Sequence, residues 1–193
     1  EAAVEAAVGK GTPGSMLDLG TGTGRMLERI APKFGRAVGV DANHAMLAVA
    51  RANLEKVGLA RVELRQGDIY ALPFPRGSFD LVVIHQVLHF LDDPGRAVRE
   101  AAAMLAPGGR LIVVDFAPHE MEFLRTEHAH RRLGFSRAQI AGWFAESGLA
   151  CDLSEEITLA GGGSGQLPVM LWRGCDRRVQ SDPMPRRTNL EVA

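Results

Sequence analysis

The stretch MLDLGTGTGRML, residues 16–27, decides how this chain folds. Ser15 to Leu19 read as a short buried strand. Gly20, Gly22 and Gly24 alternate through the turn that follows, and Met26, Leu27 and Ile30 return at helical spacing. Such a turn needs glycine where the backbone enters conformations closed to other residues. It also needs glycine where a ligand approaches the main chain with no Cβ in the way. A plain strand-to-helix turn needs fewer glycines than this one carries. A dinucleotide fingerprint would require a small residue at position 25, where Arg25 stands. The bay is therefore wider and suits a ligand without a pyrophosphate. A GxxxxGK[ST] loop is absent from the chain, which argues against nucleotide hydrolysis of that type.

Working outward, the pattern alternates strands with helices. Residues 1–9 read as a helix with Val4 and Val8 on one face, broken by Gly11, Pro13 and Gly14. Ala37 to Val40 is a second strand ending in Asp41, and Asn43 caps a helix that runs to Val57 and stops at Gly58. Val62 to Leu64 leads to Gly67-Asp68, and Phe79 to Ile84 is a fourth, apolar strand. A helix from Pro94 to Leu105 precedes the turn Pro107-Gly108-Gly109 and a fifth strand, Leu111 to Val114. Ser136 caps a helix that ends at Ser147-Gly148. Two last strands, Cys151 to Leu159 and Leu167 to Trp172, are joined by GGGSG at 161–165 with no helix between them, so they pair as an antiparallel hairpin at one edge. The expected fold is α/β: a doubly wound, mostly parallel, Rossmann-like seven-stranded sheet with that hairpin edge. Residues 1–174 form one domain in this reading. Residues 175–193, with Pro183, Pro185 and few apolar groups, form a tail without a core of its own.

Composition agrees with one ordinary globular domain. The 193 residues carry 22 Lys+Arg against 23 Asp+Glu, a net charge of −1, and 46% are hydrophobic. That balance offers no basic patch for nucleic acid or an anionic membrane. No apolar run approaches the ~20 residues of a membrane span. Cys151 and Cys175 are too few for a disulfide framework, and a cytoplasmic setting is expected. The chain begins at Glu1 inside a helix-like run, so a lost upstream segment is expected.

Acidic or glycine-rich residues end three successive strands, where open α/β sheets bind ligands. Asp41, beside the glycine turn, can accept hydrogen bonds from both hydroxyls of a ribose. The competing role, a helix-start Asp facing the dipole, is already served by Asn43. Asp68, in QGDIYALPF, can accept from an exocyclic amine, and Ile69 can cover a purine face.

These residues resemble the class I S-adenosylmethionine-dependent methyltransferases. DLGTGTG resembles the family's glycine loop, VDANHAML its ribose segment, GDIYALPF its adenine segment, FDLVVIHQVLHFLDDP its fourth-strand region and LAPGGRLIVVD its fifth strand. The resemblance implies S-adenosyl-L-methionine as cofactor and methyl transfer to a small-molecule acceptor. It implies a cofactor site made of Asp18, Gly20, Thr21, Gly22, Gly24, Asp41, Ala42, Met46, Asp68, Ile69 and His85, with His85 to His89 as the floor near the methyl group. Residues 115–149 look like methyltransferase domains fused behind ArsR-type winged-helix regulators. The alternative implied is a module that senses S-adenosylmethionine or S-adenosylhomocysteine for such a regulator. DNA contact would then belong to the missing domain, and a homodimer is possible.

Hydroxyl and amine acceptors need a base; a thiolate or carbanion does not. His85 follows the fourth strand directly and is the first catalytic candidate; His128 is the second. The segment Thr126 to Phe135, with two histidines and two arginines near a hinge-like Gly134, is expected to form the acceptor side of the pocket. His89 reads as structural. His128 and His130 diverge on a helix, which makes a metal pair poor, and no metal is expected.

Overall fold

The computed structural model describes residues 1–9, 14–157 and 167–178. Among these, seven strands form one sheet. In chain order the elements are α1 (Ala2–Val8), β1 (Ser15–Leu19), α2 (Arg25–Ile30), β2 (Arg36–Asp41), α3 (His44–Lys56), β3 (Glu63–Gln66), β4 (Phe79–His85), α4 (Pro94–Ala103), β5 (Leu105–Phe116), α5 (Phe123–Glu127), α6 (Arg137–Glu146), β6 (Leu149–Ile157) and β7 (Val169–Asp176).

The strand order is β3-β2-β1-β4-β5-β7-β6. The first five strands are parallel to one another; β7 runs antiparallel to both β5 and β6. The expected hairpin edge is present, with β7 inserted between β5 and β6. Parallel strands need both faces covered, and two apolar clusters do this. One joins Leu17, Ile84, Val113, Ile140, Phe144 and Trp172; the other joins Val4, Met16, Met26, Leu27, Val83 and Ile112. Alternation along β5 explains the split, with Val113 and Ile112 on opposite faces.

The capping expectations hold. The Asn43 side chain accepts from the N–H groups of Ala45 and Met46, and the Ser136 hydroxyl accepts from Gln139 N–H. Asp93 caps α4 in the same way. Two boundaries need correction. The strand expected at Leu111 begins at Leu105, and its register slips where Phe79↔Leu105 gives way to Leu81↔Arg110, so the Pro107-Gly108-Gly109 turn is an excursion within the strand. The expected tail began at 175, yet β7 includes Cys175 and Asp176, paired with Arg110 and Leu149 respectively. Partner strands, invisible in local composition, extend it. The GGGSG loop and residues 179–193 lie outside the described residues. Among the described residues no helix is long and apolar enough to cross a membrane.

α1 is held from two sides. Glu1 meets Arg25 and Arg29, and Glu5 meets Arg29. At its other end the carbonyls of Ala7 and Val8 accept from the guanidinium groups of Arg173 and Arg110.

Candidate functional site

The chain winds outward from β1 to β2 and β3 on one side and crosses to β4 and β5 on the other. Ligands in open α/β sheets bind at this switch, at the carboxyl ends of the strands. A cleft of about 390 Å³ lies there.

Its floor is the glycine turn. Gly20 and Gly22 line the cleft. Gly20 adopts φ +70°, and a Cβ there would come within 2.3 Å of Val87 Cγ2. The turn is pinned to β2 by the N–H groups of Gly20 and Thr21, which both donate to Val40 O. Asp41 completes the tie: its Oδ2 accepts from Gly22 N–H at 2.8 Å and its Oδ1 from Asn43 N–H at 2.8 Å. The carboxylate is thus fixed in the cleft lining, and each oxygen keeps capacity to accept a further donor.

The far wall is apolar, with one carboxylate. Ala42, Met46 and Ile69 line it, and Met46 remains 43% exposed. Asp68 lies beside them and accepts from Tyr70 N–H at 2.9 Å. Arg96 holds this loop by donating to Tyr70 O and lying over its ring. Phe90 and Leu91 also line the cleft. Two carboxylates, Asp41 and Asp68, thus share the cleft with apolar side chains and with the glycine main chain of the turn. Those features fit S-adenosylmethionine.

Four expected members do not line the cleft: Asp18, Thr21 and Gly24 sit beneath or beside it, and His85 lines a second cavity instead. Asp18 is buried and accepts from the Thr21 hydroxyl at 2.6 Å. Burial pushes the Asp18 carboxyl up to about 7; the Thr21 bond opposes this and the charge of Asp41 adds to it. Thr21 is buried with it. Gly24 is the N-cap of α2, where a Cβ would press on Ala50. It makes room for α3 and does not line the cleft.

Gln86 borders the cleft and also a second cavity of about 600 Å³. It is one of two non-glycine residues with positive φ among those described, at 59°, and its N–H donates to Val114 O. His85 lines the second cavity, half-buried, and desolvation lowers its pKa below the ordinary histidine value. The remaining walls are mostly apolar and include Val114, Phe116, Met121 and Phe123.

The structure redraws the segment after β5. His128 is exposed at the end of α5 and lines neither cavity, so it is not brought to the other candidates. α5 ends at Glu127 and Ala129 takes φ 55°, which turns His130 inward. No residue of 126–135 lines either cavity; Met121 and Phe123, just before it, do. Gly134, expected as a hinge, is wedged against the backbone: a Cβ there would fall 2.0 Å from Ala117 O.

A buried pair also appears that the sequence did not announce. His89 Nδ1 and Asp115 Oδ1 are 2.7 Å apart, and both side chains are buried. The rings of His130 and Phe116 stack, with centroids 5.6 Å apart, and the His130 ring also lies 4.3 Å from that of His89. Arg131 and Arg132 donate their N–H groups to His89 O. The available signal was Asp115 itself, a carboxylate closing an apolar strand and therefore needing a partner. Among the described residues no cluster of His, Cys, Asp and Glu could hold a metal.

Comparison with known proteins places this geometry. The methyltransferase domain family matches residues 17–113, half of the chain. The chain is 44% identical over 119 residues to the demethylmenaquinone methyltransferase of Thermus thermophilus, covering 60% of this chain and 53% of that protein. It is 36% identical over 106 residues to the uncharacterized methyltransferase YcgJ of Bacillus subtilis, covering 54% and 42%. The solved YcgJ structure superposes with a TM-score of 0.76 at 23% identity, over 92% of this chain and 98% of that one. The geranyl diphosphate C-methyltransferase of Streptomyces coelicolor, solved with S-adenosyl-L-homocysteine, gives 0.75 at 16% identity, over 92% and 77%. The chain spans about half the length of the curated relatives it matches.

Proposed function

The chain belongs to the methyltransferase domain family, the class I S-adenosylmethionine-dependent methyltransferases, and from that premise we propose that it methylates a small-molecule acceptor. The observation that carries this reading is Gln86, which borders both the cofactor cleft and the second cavity. A donor in the first and an acceptor in the second would meet across it.

S-adenosylmethionine supplies an activated sulfonium methyl group. The chain supplies position and a dry path. Gly20 and Gly22 carry the methionine portion on bare main chain. Asp41 holds the ribose hydroxyls. Asp68 takes the adenine amine, with Ile69, Ala42 and Met46 on the ring faces. Asp18 and Thr21 brace the turn from below, and Gly24 sets the helix behind it. Where the acceptor atom bears a proton, an imidazole nitrogen of His85 takes it. Burial keeps that imidazole neutral near pH 7, the state a base needs.

The experiment combines calorimetry with S-adenosylhomocysteine and turnover on a panel of phenols, amines and thiols. Cofactor binding, with transfer that His85→Ala depresses for phenols more than for thiols, is the expected result. Binding without transfer to any acceptor overturns the enzymatic reading and favours a sensing module. The relatives named above are methyltransferases and lend the ArsR-type association no support.

A further inference from the structure

Resting on the reading of the first cleft as the cofactor site, we propose that residues 117–135 form a strap clasped onto a loop of that cleft, and that protonation of His130 unlatches it.

The strap joins β5 to α6 and is pinned where it begins and ends. Phe135 N–H donates to Phe116 O, and His119 N–H donates to Leu133 O. Between these pins it reaches residues 89–92. The N–H groups of Arg131 and Arg132 donate to His89 O, Arg131 pairs with Asp92, and the Arg132 guanidinium donates to Asp92 O. The same loop serves the cleft, since Gln86, Val87, Phe90 and Leu91 all line it. A closed strap therefore steadies part of the cofactor site.

His130 is the latch. Ala129 takes φ 55°, a left-handed backbone unfavourable for alanine, and this turns the ring inward. Its centroid lies 5.3 Å from that of Phe90, 4.3 Å from His89 and 5.6 Å from Phe116. The residue is 8% exposed, and Nδ1 is buried with no hydrogen-bond partner among the described residues. A protonated imidazole carries an N–H on both nitrogens, so the acid form would bury a charged donor with nothing to accept it. Burial first, then the neighbouring His89, lower the His130 pKa below the ordinary histidine value; Asp115 opposes this, and His119 and His128 add to it. The other charges of the strap are paired, Arg131 with Asp92 and Arg125 with Glu122. His119 shifts in the same direction, with its Nε2 also buried and unpartnered. An open strap leaves His130 in water at its ordinary value of 6.5. The closed state binds the proton more weakly. Closure is thus fully favoured above that pH and weakens below it, by up to about tenfold at pH 5.5.

Amide hydrogen exchange on the full chain, read by NMR, tests this. From pH 7.5 to 5.5 the protection factors of Arg131 and Arg132 should fall at least about threefold. In His130→Phe, which keeps a ring and cannot titrate, they should hold within about 1.5-fold. His130→Leu replaces it if thermal melts show the Phe variant misfolded. Asp18 also titrates in this window, and comparison with the variant isolates the imidazole. Saturating S-adenosylhomocysteine should raise both protection factors at pH 5.5 at least about threefold, because cofactor and strap share the loop. Protection that stays flat with acid overturns the proposal. A rise also overturns it, since protonated His130 would then be pairing with Asp115. So does an equal fall in the His130 variant, or protection indifferent to bound S-adenosylhomocysteine. Absent S-adenosylhomocysteine binding by calorimetry overturns the cofactor reading instead, and the acid response of the strap is read without it.

Discussion

Asp41 Oδ2 accepts the N–H of Gly22 at 2.8 Å, so the carboxylate that ends β2 is tied to the turn that follows β1. One side chain thereby shapes the loop and lines the cleft, where we propose that it accepts from a ribose. Asp41→Ala is expected to weaken S-adenosylhomocysteine by about 1.5–3 kcal/mol, roughly tenfold to over a hundredfold. Calorimetry on the folded variant checks this. Unchanged affinity would move the ribose site elsewhere.

Gly20 faces Val87 across the cleft floor, with 2.3 Å between a Cβ at position 20 and Val87 Cγ2. Gly20→Ala is expected to cost at least about 1–2 kcal/mol for the left-handed backbone alone, and more for the collision. Adding Val87→Ala removes the colliding methyl groups, so the double variant should recover part of the loss and no more. Urea unfolding of the two variants and the wild type measures the split. Full recovery would mean the backbone carries no strain.

Asp18 predicts a pH dependence of opposite sign to that of a salt-bridged carboxylate. Its folded pKa is raised to about 7 from an ordinary value of 3.8. The folded state therefore holds the proton more tightly than the unfolded chain. The stability this contributes is full below about pH 4 and is lost as pH rises through about 7. Asp18→Asn keeps an oxygen for Thr21 and removes the titration. It should raise the melting temperature at pH 8 and change it far less at pH 5. Equal shifts at both pH values would show that Asp18 does not titrate in this window.

Asp115 and His89 are buried together, and neither has solvent to fall back on. Asp115→Ala leaves His89 Nδ1 without its partner, at a cost of about 1–3 kcal/mol. The denaturation midpoint should fall accordingly. A midpoint within error of the wild type would make the pair incidental.

The domain boundary follows from β7. A chain ending at Arg178 keeps Cys175 and Asp176 in their pairings and the Arg178 bond to Leu105 O. It should melt within a few degrees of the full chain. A chain ending at Gly174 loses those contacts and should melt lower. If both behave alike, residues 175–178 contribute nothing to the domain.

Much of this was legible before any coordinates. The glycine turn, Asp41 and Asp68 carry their meaning in local spacing, because alternation of strand and helix puts strand ends on one side of the sheet. Asn43 and Ser136 were readable as caps because a cap acts within a turn of its own residue. The placement of His85 at the end of β4 followed from the same topology.

The sequence by itself determined the α/β class, the antiparallel edge and the gathering of Gly20, Gly22, Asp41 and Asp68 at one cleft, since each rests on contacts between near neighbours or on the order of elements. Tertiary structure alone decided that β7 runs to Asp176, that His130 turns inward while His128 does not, and that His89 finds Asp115. Those outcomes depend on a partner 26 residues away for His89 and Asp115, and on one backbone reversal at Ala129. No local pattern encodes them. The second cavity is of the same kind: its walls come from Glu1, β4, β5, β6, β7 and the start of α5 with Met121 before it, and only packing brings those side chains around one space.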